Sequence, residues 1–385
     1  MITKVILKTG REKSIRQRHP WIYSGAVAEI KYHKKDGELC DLFTSKGEFL
    51  ARGYLNTKSQ IICRILTFEQ EEINKDFFYK RLWDAYSLRK TFITSTTGFR
   101  WVHSESDALA GLIVDVYDKG VCCQFLTLGI NQWRKEIVDC IKEIAHPEFI
   151  YEKAPHKSKE GLRGSSHILW GAMPEEVTFK ENGIPFFVDI PHGQKTGFFL
   201  DQRENRKIIS KFSQNKLICD CFAYTGAFSV YTLKGGAKKV VLLETSSSAL
   251  KLAYRNLMHN GFSSFELIKG DVVNFLKETP LNFNLIILDP PPFAQSKANI
   301  TPALKAYENL NQLAISKLAP CGLLATFSCS HYLDNALFKQ AIFKASLKAG
   351  REVQILKSFS HPLDHPVSIY HPEGEYLKGF LLFIK

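Results

Sequence analysis

The sequence predicts an α/β protein: a Rossmann-like, doubly wound sheet of seven strands in the C-terminal half, preceded by a small β-barrel and an α+β middle domain. Two observations carry the sheet. From residue 217 onward, apolar runs of strand length alternate with segments of helical periodicity, the pattern of buried parallel strands with crossover helices. Four successive runs also end in an acid, namely Asp220, Glu244, Asp271 and Asp289. A third observation carries the barrel, since the first 70 residues alternate short β-like runs with Gly-bearing turns. The expected domains are 1–70, 72–180 and 185–385.

Composition narrows the class. With 45% hydrophobic and 23% charged residues the chain reads as globular, and no run approaches the roughly 20 apolar residues that span a bilayer. Met1-Ile2-Thr3-Lys4 lacks the apolar stretch of a signal peptide, so a cytoplasmic protein without membrane contact is expected. Of the nine cysteines, Cys122-Cys123 and Cys219-x-Cys221 are the close groupings. Neither has the spacing of a zinc site, and both read as buried small hydrophobes, so no metal is expected.

The net charge of +12 is compatible with a polyanionic partner. Residues 1–70 hold 13 Lys and Arg against 7 Asp and Glu, half of that excess. Their β-like runs are Val5 to Lys8, Glu48 to Tyr54 and Gln60 to Leu66. Arg16-Gln17-Arg18-His19-Pro20-Trp21-Ile22-Tyr23 sets cations beside aromatics, the combination that holds a phosphate backbone and stacks on an unpaired base. Equally, Trp21 and Tyr23 read as core residues and the arginines as solvated.

Glu71 to Thr91 reads as a helix, acidic at its start, basic at its end, with Phe77, Phe78, Leu82, Trp83 and Tyr86 as its apolar positions. Strand-like runs flank Asp118-Lys119-Gly120, a hairpin turn, and Trp133 to Ile144 is an amphipathic helix. Lys157 to Gly164 reads as a polar, mobile loop. A second hairpin is expected across Glu181-Asn182-Gly183. The Lys195-Thr196 pair in Gly193 to Arg203 (G-Q-K-T-G-F-F-L-D-Q-R) lacks the glycine directly before the lysine of a nucleotide triphosphatase loop.

Leu217 to Cys221 then feeds the helical pattern of 227–234 through a tight turn, and ligands settle at such strand ends. A dinucleotide fold needs G-x-G-x-x-G to cradle a pyrophosphate, and this turn holds Gly226 alone. A cofactor with ribose and adenine but no phosphate, S-adenosylmethionine, fits that deficit. Asp220, Phe222, Tyr224, Thr225 and Gly226 would surround it, Glu244 would meet the ribose and Asp271 the adenine amine. Strands are expected at 238–243, 265–268 and 283–288. A helix follows at 301–318, a strand at 322–327, a helix at 336–347, and strands at 353–359 and 376–384, the last able to enter antiparallel.

With D-C-F-A-Y-T-G-A-F, D-P-P-P-F and G-Q-K-T-G-F-F-L-D-Q-R together, residues 185–385 resemble a class I S-adenosylmethionine-dependent methyltransferase. More narrowly, the chain is similar over essentially its whole length to the ribosomal RNA large-subunit methyltransferase I family. That resemblance implies an N-terminal PUA domain contacting RNA through Arg16, Arg18 and Trp21. It also implies that Gln194, Lys195, Thr196, Asp201 and Arg203 lie near the methionine end of the cofactor or near the RNA.

Methylation at carbon 5 of a cytosine needs a thiolate at the open end of the sheet and a group that stabilises the altered ring. Cys329, in the loop after the fifth strand, and Asp289, at the end of the fourth, are the candidates, with Pro290 and Phe293 toward the base. D-P-P-P-F also resembles the D-P-P-Y of enzymes that methylate exocyclic amines, although its aromatic comes one residue late. Nitrogen methylation and a non-catalytic RNA-binding assembly factor stay open. So do the role of His331 and the oligomeric state, a homodimer included.

Overall fold

The computed structural model describes residues 2–154, 161–162, 164–294 and 296–385. Most of the expected Lys157–Gly164 loop lies outside these described residues. The chain divides into two compact units, Met1–Gly183 with Val188–Phe198 and Leu363–Gly374, and Ile184–Phe187 with Phe199–Pro362 and Glu375–Lys385. Residues 188–198 and 363–374, which the sequence reading placed in the C-terminal domain, thus belong to the first unit.

The first unit holds two sheets. One has six strands in the order Trp21–Tyr23, Ile61–Thr67, Phe49–Leu55, Leu39–Phe43, Thr3–Leu7, Val27–Lys31. Its two outer strands are joined by Ser24–Ala26 alone, a span of about 10 Å when extended, so the sheet must curl until its ends nearly meet. Val5, Leu7, Cys40, Leu42, Ile62 and Ile65 fill the interior of this curl.

The second sheet has five strands, Gly98–His103, Leu112–Tyr117, Gly120–Phe125, Phe149–Glu152 and His167–Gly171, each beside the next. The helix expected at 71–91 runs Lys75–Phe92, because Asn74 caps it by accepting the Phe77 N–H at 3.1 Å. Phe77, Phe78, Leu82 and Ala85 are buried, but Trp83 is 48% exposed and falls off the buried face. Asp118, with φ 56°, opens a turn that closes where Tyr117 pairs with Gly120.

Buried guanidiniums tie this unit together. Arg89 binds both oxygens of Asp107 at 2.6 and 2.7 Å and donates to the Asp364 carbonyl at 3.1 Å. Arg100 grips Asp115 at 2.8 and 2.9 Å, and the Arg100 N–H donates to Asp364 Oδ2 at 2.9 Å.

The second unit is built on one sheet of seven strands: β1 (Leu217–Cys221), β2 (Lys239–Glu244), β3 (Phe265–Lys269), β4 (Phe283–Leu288), β5 (Leu318–Ser328), β6 (Val353–Phe359) and β7 (Lys378–Ile384). Their order is β3-β2-β1-β4-β5-β7-β6, with β7 antiparallel to both neighbours and the remaining pairs parallel. The interior strands read as unbroken apolar runs because helices cover both faces. Val241, Leu243, Ile286, Leu288, Leu324 and Leu382 pack with Tyr307 of helix Ile300–Ser316 and Phe338 of helix Asn335–Ala349.

Candidate active site

The turn after β1 is the most contorted stretch of the second unit. Phe222 (φ 62°), Tyr224 (φ 49°) and Gly226 (φ 74°) all adopt left-handed backbone, and two of them carry side chains for which this is unfavourable. A Cβ at Gly226 would lie 3.0 Å from that of Ala253, so the glycine also lets the turn pack closely on helix Ser247–His259.

Three of the expected acids stand at the ends of β1, β2 and β3. Asp220 is fully buried at the end of β1, where burial pushes its carboxyl up to about 7 against the hydrogen bond from Ser229 Oγ at 2.6 Å, with Asp289 and Glu244 adding to the rise. Glu244 accepts the Tyr224 N–H at 3.0 Å and those of Thr245 and Ser246 at 2.8 and 2.9 Å. Its carboxylate is therefore held against the turn. Asp271 is the N-cap of helix Val272–Glu278, accepting from Asn274 N at 2.9 Å through one oxygen.

β4 ends in the loop that carries Asp289. Gln202, buried beneath it, donates to Asp289 Oδ2 at 3.1 Å and is itself anchored by Asn205 at 2.7 Å. The loop after the neighbouring strand β5 is tied to this one at two points and to helix Ile300–Ser316 at a third. Cys329 Sγ lies 3.8 Å from the Pro290 carbonyl, the Ala294 N–H donates to Ser330 Oγ at 3.3 Å, and Tyr307 shares a hydrogen bond with Ser330 at 3.2 Å. The juxtaposition of Cys329 with the D-P-P-P-F loop thus has a physical basis in side chains of the β5 loop meeting backbone groups of the β4 loop. Phe293 is half-buried with its ring 4.7 Å from that of Tyr307, so it is packed inward instead of standing out as a stacking platform.

Other expected site residues lie elsewhere or face inward. Thr196 is fully buried in the first unit, where its hydroxyl donates to Asp115 at 2.5 Å and meets the Tyr117 hydroxyl at 2.8 Å; the group expected to face the cofactor is used to hold its own segment down. Gln194 and Lys195 are exposed in that same unit. Arg203 is 2% exposed and pairs with Glu204 at 3.2 Å, an unsuitable position for an open RNA contact.

In the six-stranded sheet's neighbourhood, Arg16 pairs with Glu48, Arg18 lies 5.5 Å over the Phe68 ring, and both arginines line a shallow cleft of about 250 Å³ with Phe49. Trp21 is engaged within the unit, donating its indole N–H to Glu105 at 2.8 Å and packing edge-on against His371 at 4.5 Å. It is therefore a packing residue, the second of the two roles its sequence context allowed.

Sequence reasoning missed two residues. Gln202 stood inside a motif but carried no assigned role. Lys378, at the start of β7, is a buried lysine whose ammonium donates to the Ser330 carbonyl at 2.9 Å, one residue from Cys329. Nothing local in the sequence marks it, because the β5–β7 pairing that brings it there joins residues some fifty positions apart.

The residues at these strand ends fit S-adenosylmethionine. The buried Thr225 hydroxyl has no hydrogen-bond partner among the described residues, and acceptor carboxylates with no phosphate cradle suit a ribose and a sulfonium. Sheet order, left-handed turn and strand-end acids define a class I S-adenosylmethionine-dependent methyltransferase. Residues 157–347 match the family model for an S-adenosylmethionine-dependent methyltransferase, and residues 5–68 that for a PUA-like domain.

The chain is 41% identical to the ribosomal RNA large subunit methyltransferase I of Photobacterium profundum over 100% of both proteins. It is 40% identical to that of Aeromonas salmonicida over 98% of each. The chain belongs to the ribosomal RNA large subunit methyltransferase I family. Among solved structures, that of SMU.776 complexed with SAH aligns over 100% of both chains with a TM-score of 0.87 and 25% identity.

Proposed function

We propose that this protein methylates large-subunit ribosomal RNA at carbon 5 of a cytosine, with Cys329 as covalent nucleophile. The substrate class is taken from the name of the curated relatives. The observation that supports the carbon chemistry is the tie between the Cys329 loop and the Asp289 loop at adjacent strand ends. When bound, S-adenosylmethionine supplies an electrophilic methyl group; Glu244 would hold its ribose, Asp271 its adenine amine, and the Asp220–Gly226 turn its body.

Cytosine carbon 5 is a poor nucleophile. Addition of the Cys329 thiolate to carbon 6 makes it enolate-like, and after methylation the carbon 5 proton leaves to a base while the thiolate is expelled as the 5,6 double bond re-forms. Asp289, oriented by the Gln202 amide, would hold the polar edge of the ring and stabilise positive charge on it. Arg16 and Arg18, in their cleft within the basic first 70 residues, would hold the RNA backbone.

The test is Cys329→Ala, which should abolish methylation while leaving cofactor and RNA bound, since the lost group acts on the transition state. An RNA carrying 5-fluorocytosine, which has no removable proton at carbon 5, should trap the wild-type protein as an adduct that survives denaturing electrophoresis. Methylation by Cys329→Ala at near wild-type rate would overturn the carbon mechanism and leave Asp289 with the D-P-P-P-F loop as an amine-methylating site.

A further inference from the structure

Lys378 presents an anomaly that the proposed chemistry does not use. Its side chain is buried, with only 3% of the residue exposed, yet its ammonium is bonded to two neutral carbonyls, those of Ser330 and Tyr376, each at 2.9 Å. No carboxylate lies within ion-pair distance of it among the described residues; Glu375 and Asp334 act on it from further away. Buried charges are ordinarily paired, because desolvation of a lone ammonium is costly.

The strand register shows which group is set beside it. Lys378 stands opposite Ser328 in the antiparallel β5–β7 ladder, so the two side chains share a face of the sheet. Its Nζ then reaches past to Ser330. Lys378 thus flanks Cys329, opposite Ser328 in the strand register on one side and bonded through its ammonium to Ser330 on the other, in the loop whose thiol meets the Pro290 carbonyl.

We propose that Lys378 is the counter-ion of the Cys329 thiolate, a positioning residue that keeps the nucleophile ionised at neutral pH. This rests on the reading of Cys329 as the nucleophile and adds how the thiol is activated. The thiol proton is released to solvent, and the buried site exchanges an unpaired ammonium for an ammonium–thiolate pair. Burial brings the lysine down to about 8, so the charged form still prevails at pH 7. The other ionisable groups around the thiol are Asp289 at the end of β4, Tyr307 behind Ser330, His331 in its own loop, and Glu375 and Asp334 further out. The acids among them oppose thiolate formation, which leaves Lys378 as the buried cation able to favour it.

The experiment is alkylation of the full chain by iodoacetamide between about pH 6 and pH 9, where thiols titrate, read by peptide mass spectrometry. Cys321, exposed in the same β5 strand, is the internal reference, and the seven buried cysteines report unfolding by becoming reactive. In the wild type Cys329 should react with a lower pH midpoint than Cys321. Lys378→Met should raise the Cys329 midpoint by roughly one unit and slow its alkylation at pH 7 roughly tenfold, leaving Cys321 unchanged, while Lys378→Arg restores the profile.

An unchanged Cys329 profile in folded Lys378→Met overturns the proposal. If that variant unfolds, a wild-type Cys329 midpoint at or above that of Cys321 overturns it instead. Neither readout depends on methylation, so failure of the counter-ion is distinguishable from failure of the nucleophile, which Cys329→Ala tests.

Discussion

Asp220 is a carboxyl group enclosed by apolar strand residues and two other acids, and its titration should be visible in stability. The folded carboxyl keeps its proton up to about pH 7, whereas an unfolded aspartate loses it near pH 4. Between these values the native state holds the extra proton, so stability falls as pH rises through that window. Asp220→Asn removes the dependence. Urea unfolding at pH 5 and pH 8 should show the variant gaining about 2 to 3 kcal/mol relative to wild type at the higher pH.

Glu244 carries a different expectation, because its half-buried carboxylate already gathers three backbone N–H groups and has an oxygen edge to offer a ribose. Loss of charge-assisted hydrogen bonds in Glu244→Ala should weaken S-adenosylmethionine binding at least about tenfold by calorimetry. Both acids were legible because each terminates a continuous apolar run. Lys378 and Gln202 were not, since their meaning depends on strand pairing and on a buried contact across some ninety residues.

At the scale of elements, boundaries followed caps. The helix after the barrel begins at Lys75 because Asn74 accepts the Phe77 N–H, a signal that lay beneath the acidic run at 71–72. Trp83 was misassigned to the apolar face for a geometric reason: it follows Leu82 directly, and adjacent helical residues are about 100° apart. The strand Val27–Lys31 carries two charges in five residues, and Leu39–Phe43 breaks its apolar run with Asp41, so neither reads as a strand locally.

The capped helix after β3 also yields a separable test, since Asp271 has one oxygen on the cap and a second role expected at the adenine. Asp271→Ala should cost about 1 kcal/mol of stability and also weaken cofactor binding, whereas Asp271→Ser should keep the cap and lose only the binding. Equal cofactor affinity in all three proteins, measured by calorimetry, would leave Asp271 as a cap alone.

For the whole molecule, the excess of positive charge in residues 1–70 should appear as salt-dependent RNA binding. Charge reversal at Arg16 and Arg18 should weaken binding and flatten the dependence of log affinity on log salt by roughly one to two, with cofactor affinity unchanged. An unaltered slope would return the arginines to ordinary solvation. The sheet itself was readable from sequence because parallel strands and crossover helices alternate at short range. The two excursions of the chain back into the first unit were not, because they are held by tertiary contacts such as Thr196 on Asp115 and Asp364 on Arg89 and Arg100.

Those excursions bear on how the protein is born. A ribosome adds residues in order at about 5 to 20 per second, and N-terminal domains ordinarily fold while the rest is still being made. Here Arg89, already paired with Asp107, and the Arg100 N–H gain their bonds to Asp364 only once that residue has emerged, and the second unit's sheet keeps a gap between β5 and β6 until β7 arrives to fill it. A nascent chain halted before Asp364 therefore carries two unfinished cores at once, exposed to chaperones and proteases, with no completed half to shelter it.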